Sequence, residues 1–203
     1  MKKLLVILGL MLATVAHAES GVEYEVGSEK GHTAPNWNGP AVRNDWIAVT
    51  PFWELEDGWD VSLKFEGARD QTPGASLENK IEARIRKSWE LGAGWGAGLR
   101  VGLGEDFNQQ SPVAAGQTQD FAYYLVEPRV TYDLTSKATA VVSYRYRNAF
   151  KNQSEQLYFE SNTAKIGVDY KVTEKDEVGF RFDDKFGEQE HSKGFEFTYA
   201  RSF

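Results

Sequence analysis

The sequence predicts an all-β chain closed into a transmembrane antiparallel β-barrel of ten strands, with twelve as the alternative count. Three observations carry that expectation. Apolar residues recur at every second position through most of the chain, an export signal precedes them, and no helical stretch is present to cover a sheet. A period of two gives a strand one apolar and one polar face. Only a closed sheet crosses a bilayer, because an open edge leaves backbone N–H and C=O groups unpaired in hydrocarbon.

The first eighteen residues stand apart from the fold. Lys2 and Lys3 precede the apolar run Leu4 to Val15, and Ala16-His17-Ala18 then reads as a signal-peptidase site. That run is too short to span as a helix. The expected division is therefore a signal peptide at 1–18 and one barrel domain at 19–203. Losing Lys2 and Lys3 takes the formal charge from -7 to -9, which argues against a nucleic-acid or anionic-membrane-surface role. Cysteine is absent, and the mean hydropathy of -0.51 suits a barrel in which only alternate residues meet lipid.

In chain order the strands are expected at about 22–30, 45–53, 59–69, 77–90, 95–104, 119–132, 138–148, 156–170, 177–186 and 192–203. In the second, Trp46, Ala48, Thr50 and Phe52 compete with Ile47, Val49, Pro51 and Trp53 as the outward face, and Pro51 lacks a ladder donor. The fourth has Leu77, Ile81, Ala83, Ile85 and Trp89 on one face, which turns Glu78, Lys80, Glu82, Arg84 and Arg86 inward. In the fifth, Gly96, Gly98, Gly102 and Gly104 share the inward face with Arg100; they either leave space or sit opposite bulky neighbours. The seventh alternates Ala138, Ala140, Val142, Tyr144 and Tyr146 with Thr139, Val141, Ser143, Arg145 and Arg147. The last ends on Phe195, Phe197, Tyr199, Arg201 and Phe203, and the terminal Phe203 looks like an outer-membrane assembly signal.

The connections alternate in kind. Glu54 to Gly58, Leu91 to Gly94, Asp133 to Lys137 and Lys171 to Asp176 are compact and carry turn residues. Those at 31–44, 70–76, 105–118, 149–155 and 187–191 form the other, generally longer set. Short periplasmic turns and longer outer loops are the expectation for an outer-membrane barrel, and an even strand count places both termini on the periplasmic side. Trp53, Trp59, Trp89, Trp95, Tyr132 and Tyr170 beside the short turns suit the headgroup level.

The alternation also lines the lumen. The pore-lining candidates are Arg84, Arg86, Arg100, Arg129, Arg145, Arg147, Lys165 and Arg181, with Lys64 beside them. The expected lumen carboxylates are Glu82, Glu127, Asp169 and Glu196, joined by Asp60, Glu66, Glu177 and Asp183. Two outcomes follow: opposed charges pair and close a narrow bore, or the arginines segregate into a track that guides anions. His32 and His191 are assigned to outer loops, so a metal site or a histidine-dependent hydrolase has little support. Glu105, Asp106 and Asp120 are loop-border acids of a kind that can hold a divalent ion, but solvated loop polarity is the expected reading for them and for Asp183, Asp184 and Glu188.

Within Phe121 to Ala149, the segments Tyr123-Tyr124-Leu125-Val126-Glu127-Pro128-Arg129, Asp133-Leu134-Thr135 and Val142-Ser143-Tyr144-Arg145-Tyr146-Arg147, followed by Phe150, resemble the oligogalacturonate-specific porin family. Ile81 to Leu99 looks like the preceding family hairpin. The resemblance implies a monomeric channel for acidic sugars, with Arg84, Arg86, Arg129, Arg145 and Arg147 along its wall. Family barrels have twelve strands, so ten imply a narrower bore. The expected function is passive uptake of small acidic saccharides or other anions across the outer membrane of a Gram-negative bacterium. The alternative is a non-conducting barrel serving as a structural or surface-binding scaffold. No enzyme activity, cofactor, metal or nucleic acid is expected. The expected partners are outer-membrane lipid, an acidic small molecule and the outer-membrane assembly machinery.

Overall fold

The computed structural model describes residues 19–33, 41–71, 77–110, 118–150, 160–187 and 190–203. These form ten strands: β1 Glu19–Thr33, β2 Val42–Glu54, β3 Trp59–Asp70, β4 Leu77–Gly92, β5 Trp95–Gln110, β6 Thr118–Asp133, β7 Ala138–Ala149, β8 Glu160–Lys171, β9 Asp176–Phe186 and β10 Glu190–Ser202. Each pairs antiparallel with its chain neighbour, and β1 pairs with β10 from Gly21↔Ser202 to Thr33↔Glu190, closing the barrel. The Phe203 N–H donates to the Ser20 carbonyl at 2.8 Å, so the last residue is tied to the first strand. No strand edge is left among these ten, which is the condition for a sheet in hydrocarbon.

The four tight turns lie at the end that also holds Glu19 and Phe203. Two share one construction. Thr135 Oγ1 accepts the N–H groups of Lys137 and Ala138, and Thr173 Oγ1 accepts those of Lys175 and Asp176, at 3.0–3.1 Å. The Gly92-Ala93-Gly94 turn holds φ of 86°, 51° and 79°, a left-handed run in which glycine carries the outer positions.

Cross-strand register fixes the faces. Outward side chains such as Val26, Ile47, Phe65, Val101, Val130, Val142, Ile166, Phe180 and Phe197 remain exposed and build an apolar belt. Trp59, Trp89, Trp95, Tyr132 and Tyr170 ring its short-turn end. Towards the other end Tyr124 meets Tyr146 and Phe150, and Tyr144 meets Phe186, as tilted ring pairs. The belt and both aromatic rings match a bilayer-facing wall.

Several expectations need correction. The even residues of β2 face inward, because Ala48 opposes Glu25 and Glu66, and Pro51 is outward. His32 and His191 are not in loops: they are direct partners in β1 and β10. Strands expected to end near 30 and 104 continue to Thr33 and Gln110, so the outer ends rise further than the apolar alternation extends. Polar side chains do not mark a strand end when backbone pairing continues beyond the belt. The expected signal peptide at 1–18, residues 156–159 and Glu188 lie outside the described residues.

Candidate functional site

The lumen is the site, and alternate residues of every strand supply it. Arg84 and Arg86 on β4, Arg100 on β5, Arg129 on β6, Arg145 and Arg147 on β7, Lys165 on β8 and Arg181 on β9 all take the inward register. Glu82, Glu127, Asp169 and Glu196 do so as well. The structure brings these groups together, most of them as ion pairs and Arg147 over the Tyr123 ring.

At mid-height pairs form both between strands and between alternate residues of one strand. Lys64 Nζ donates to Glu25 at 2.7 Å and lies 2.8 Å from Glu66. Lys165 Nζ donates to Glu196 at 2.5 Å. Arg84 pairs with Glu82, whose other oxygen accepts the Tyr123 hydroxyl at 2.8 Å. The Arg147 guanidinium stands 5.0 Å over the Tyr123 ring. Trp46 Nε1–H donates to Glu25 at 2.8 Å, so an aromatic inward side chain of β2 braces the same carboxylate. These contacts form a waist. Glu25, Arg84, Arg145, Lys165 and Glu196 border the cavities on both sides of it.

Outward of the waist the free space is about 70 Å³, and inward of it about 440 Å³. At about 30 Å³ of liquid volume per water, the first has room for a couple of waters and the second for on the order of fifteen. The large cavity opens among the short turns, between Glu19, Glu54, Lys171 and Thr173. Its wall is divided. β4 to β9 contribute Arg84, Arg86, Arg100, Arg129, Arg145, Lys165 and Arg181 with Glu127, Asp169, Asp176 and Glu177 among them, whereas β1 to β3 contribute Glu19, Glu23, Glu25, Glu54 and Asp60 and no basic group.

Carboxylates are shared on the basic side. Arg86 pairs with Asp60, Arg100 (3.3 Å) and Arg145 (2.8 Å) share Glu127, and Arg129 (3.9 Å) and Arg181 share Asp169. Four guanidiniums thus share two carboxylates on this side, and a fifth, Arg86, reaches Asp60 of β3. The inward glycines of β5 do not leave a bore. An added Cβ at Gly104 would meet the Tyr123 ring at 2.4 Å, and at Gly98 the Arg129 stem at 2.9 Å, because β6 side chains lie over them. Bulky neighbours therefore fill that space.

Sequence reasoning missed the acidic face of β1. Glu19, Glu23, Glu25 and Glu29 fall at inward positions, and their alternation with Val22, Tyr24 and Val26 was the available signal. Asp106 is not the loop-border acid that the sequence suggests. It is fully buried in β5 with Lys80 Nζ at 3.7 Å, and among the described residues its carboxylate has no hydrogen-bond partner. Among the described residues no group of three metal-binding side chains is found.

No family model and no curated protein matches the chain. Solved structures do. The translocator domain of the autotransporter NalP from Neisseria meningitidis superposes with a TM-score of 0.61 at 10% identity, covering 98% of this chain and 94% of that one. The β-domain of the Bordetella autotransporter BrkA gives 0.62 at 10% identity over 91% of this chain and 100% of that one. An outer membrane channel from Pseudomonas putida F1 gives 0.62 at 10% identity over 92% and 95%. The chain therefore has the fold of outer-membrane β-barrels, and at this identity the likeness speaks for fold alone.

Proposed function

We propose that the chain is a small-bore outer-membrane channel that passes small anionic solutes along the arginine side of its lumen. The observation that carries this reading is the excess of guanidinium over carboxylate on the β4–β9 wall of the inner cavity. Guanidinium forks bind carboxylates and phosphates bidentately, and local lining governs a pore more than net charge does. The stretch resembling the acidic-sugar porins lies on this same wall, at β6 and β7. The opposed glutamates of β1 to β3 weaken the preference, so anion selectivity is modest. Inorganic anions and small carboxylates are the expected solutes. An acidic monosaccharide passes only when waist pairs such as Lys165–Glu196 and Lys64–Glu25 part.

Single channels in a planar bilayer test this. Wild-type protein is expected to favour anions by a small factor, Glu23→Gln with Glu25→Gln to increase that factor, and Arg86→Gln with Arg129→Gln to reverse it. Cation preference in the wild type would reject the arginine path. The waist itself favours a second reading, a non-conducting scaffold, and absence of conductance at every salt concentration would select it.

A further inference from the structure

We infer that the outward rim of β10, β1, β2 and β3 binds the phosphate groups of a lipid headgroup in the outer leaflet. Lys193, Lys30 and Arg43 are consecutive cross-strand partners, since Lys30 pairs with Lys193 on one side and with Arg43 on the other. All three share the outward face with Phe197, Val26 and Ile47. Arg69 on β3 extends the row, opposite Asp45. Four cations thus lie along four adjacent strands.

Like charges directly opposite each other destabilise a sheet, with Cβ atoms only about 5 Å apart. The chain supplies little to offset this. Asp45 accepts from Arg43 at 2.8 Å and from Gln71 at 2.8 Å, and Asp184 stands 3.7 Å from Lys193 while also meeting His191 at 3.2 Å. Among the described residues Lys30, at the centre, has no carboxylate partner. An anion with several oxygens, bridging Lys193, Lys30 and Arg43, removes the repulsion that the register creates.

Height and position select the ligand. Lys30 lies two outward positions beyond Val26, about 13 Å along the tilted strand, which carries it from the apolar belt into the headgroup layer. Around the rest of the circumference the corresponding outward positions hold Glu105 on β5, Asp120 on β6, Asn148 on β7 and Asn162 on β8. Among the described residues the outward-facing cations of this end are therefore confined to one side of a chain whose net charge is -7. A general preference for anionic lipid would spread them around the ring.

The inference rests on the outer-membrane reading, and the test separates the two. Folded protein in detergent micelles is titrated with a diphosphorylated glycolipid and with the same lipid after removal of its phosphates, and the bound fraction is read by native mass spectrometry. The phosphorylated form is expected to bind at least tenfold more tightly. Lys30→Gln with Arg43→Gln and Lys193→Gln is expected to abolish that difference, whereas Lys87→Gln and Lys137→Gln at the opposite end leave it intact. Each variant is checked for the compact, unheated gel species that reports a closed barrel. Equal binding of the two lipids, or an unchanged difference in the triple variant, overturns the rim site while leaving the outer-membrane reading in place. Displacement of the lipid by a tenfold excess of inorganic phosphate overturns the choice of a lipid headgroup. Failure of the wild type to insert into bilayers overturns both.

Discussion

Glu127 shows how one side chain sets both stability and selectivity. It accepts from Arg145 at 2.8 Å, from Ser143 at 3.1 Å and from Arg100 at 3.3 Å, in a nearly buried position. Glu127→Gln leaves two guanidiniums without their shared counter-charge. A destabilisation of about 2 kcal/mol is expected in urea unfolding from lipid vesicles, the scale of hydrogen bonds to charged groups. The same variant should raise anion preference in bilayers. An increase in selectivity without loss of stability would mean that water replaces the carboxylate fully. Tyr123 offers a packing counterpart. Its ring lies over Gly104, its hydroxyl is held by Glu82 and Arg147 covers its face, so it has nowhere to move. Gly104→Val should destabilise by about 1–3 kcal/mol, as overpacking does, with little change in selectivity.

At the scale of elements, the two ends of the strands make opposite predictions for labelling. Cysteine placed at Gln71 in this cysteine-free chain is expected to react with a membrane-impermeant thiol reagent added to intact cells, and cysteine at Ser136, in the Thr135 turn, is not. The reverse pattern would invert the orientation. The ten strands themselves were legible because each keeps an unbroken apolar alternate over its bilayer-facing part, as Val178, Phe180 and Phe182 do in β9. Strand ends were not legible where that alternation stops. Beyond Leu103, β5 runs on through Glu105 and Asp106 with its ladder to β6 intact, and nothing in side-chain polarity reports a hydrogen-bonded backbone above the membrane. The ambiguity in β2 has a similar source: Trp46 and Phe52 are apolar yet face inward, where their rings lie against Gly27 and Gly21 of β1, and a single strand does not reveal what its neighbour lacks.

For the whole molecule, closure through β1 and β10 means that no strand separates without breaking two ladders. Unheated protein is therefore expected to resist dodecyl sulfate and migrate as a compact species, and deleting Phe203, which loses the 2.8 Å bond to Ser20, should lower the yield of that species without altering conductance. Altered selectivity in the truncated protein would assign Phe203 a role beyond assembly. The lumen was legible as a roster of charges and not as a circuit, because which arginine meets which carboxylate depends on register across strands far apart in sequence, such as Lys165 and Glu196. The uneven division of the inner cavity, with carboxylates alone on β1 to β3 and guanidiniums in excess over carboxylates on β4 to β9, has an effect that the net charge of the lining does not express. Opposed walls of unlike sign set an electric field across the bore, at right angles to the direction of travel. Water entering it is turned side-on, and so is any solute with a dipole, each end held towards its own wall. On the proposed channel function, two molecules of equal charge and size but different dipole would then meet different resistance, and the lumen would sort by the internal arrangement of charge in what passes through it.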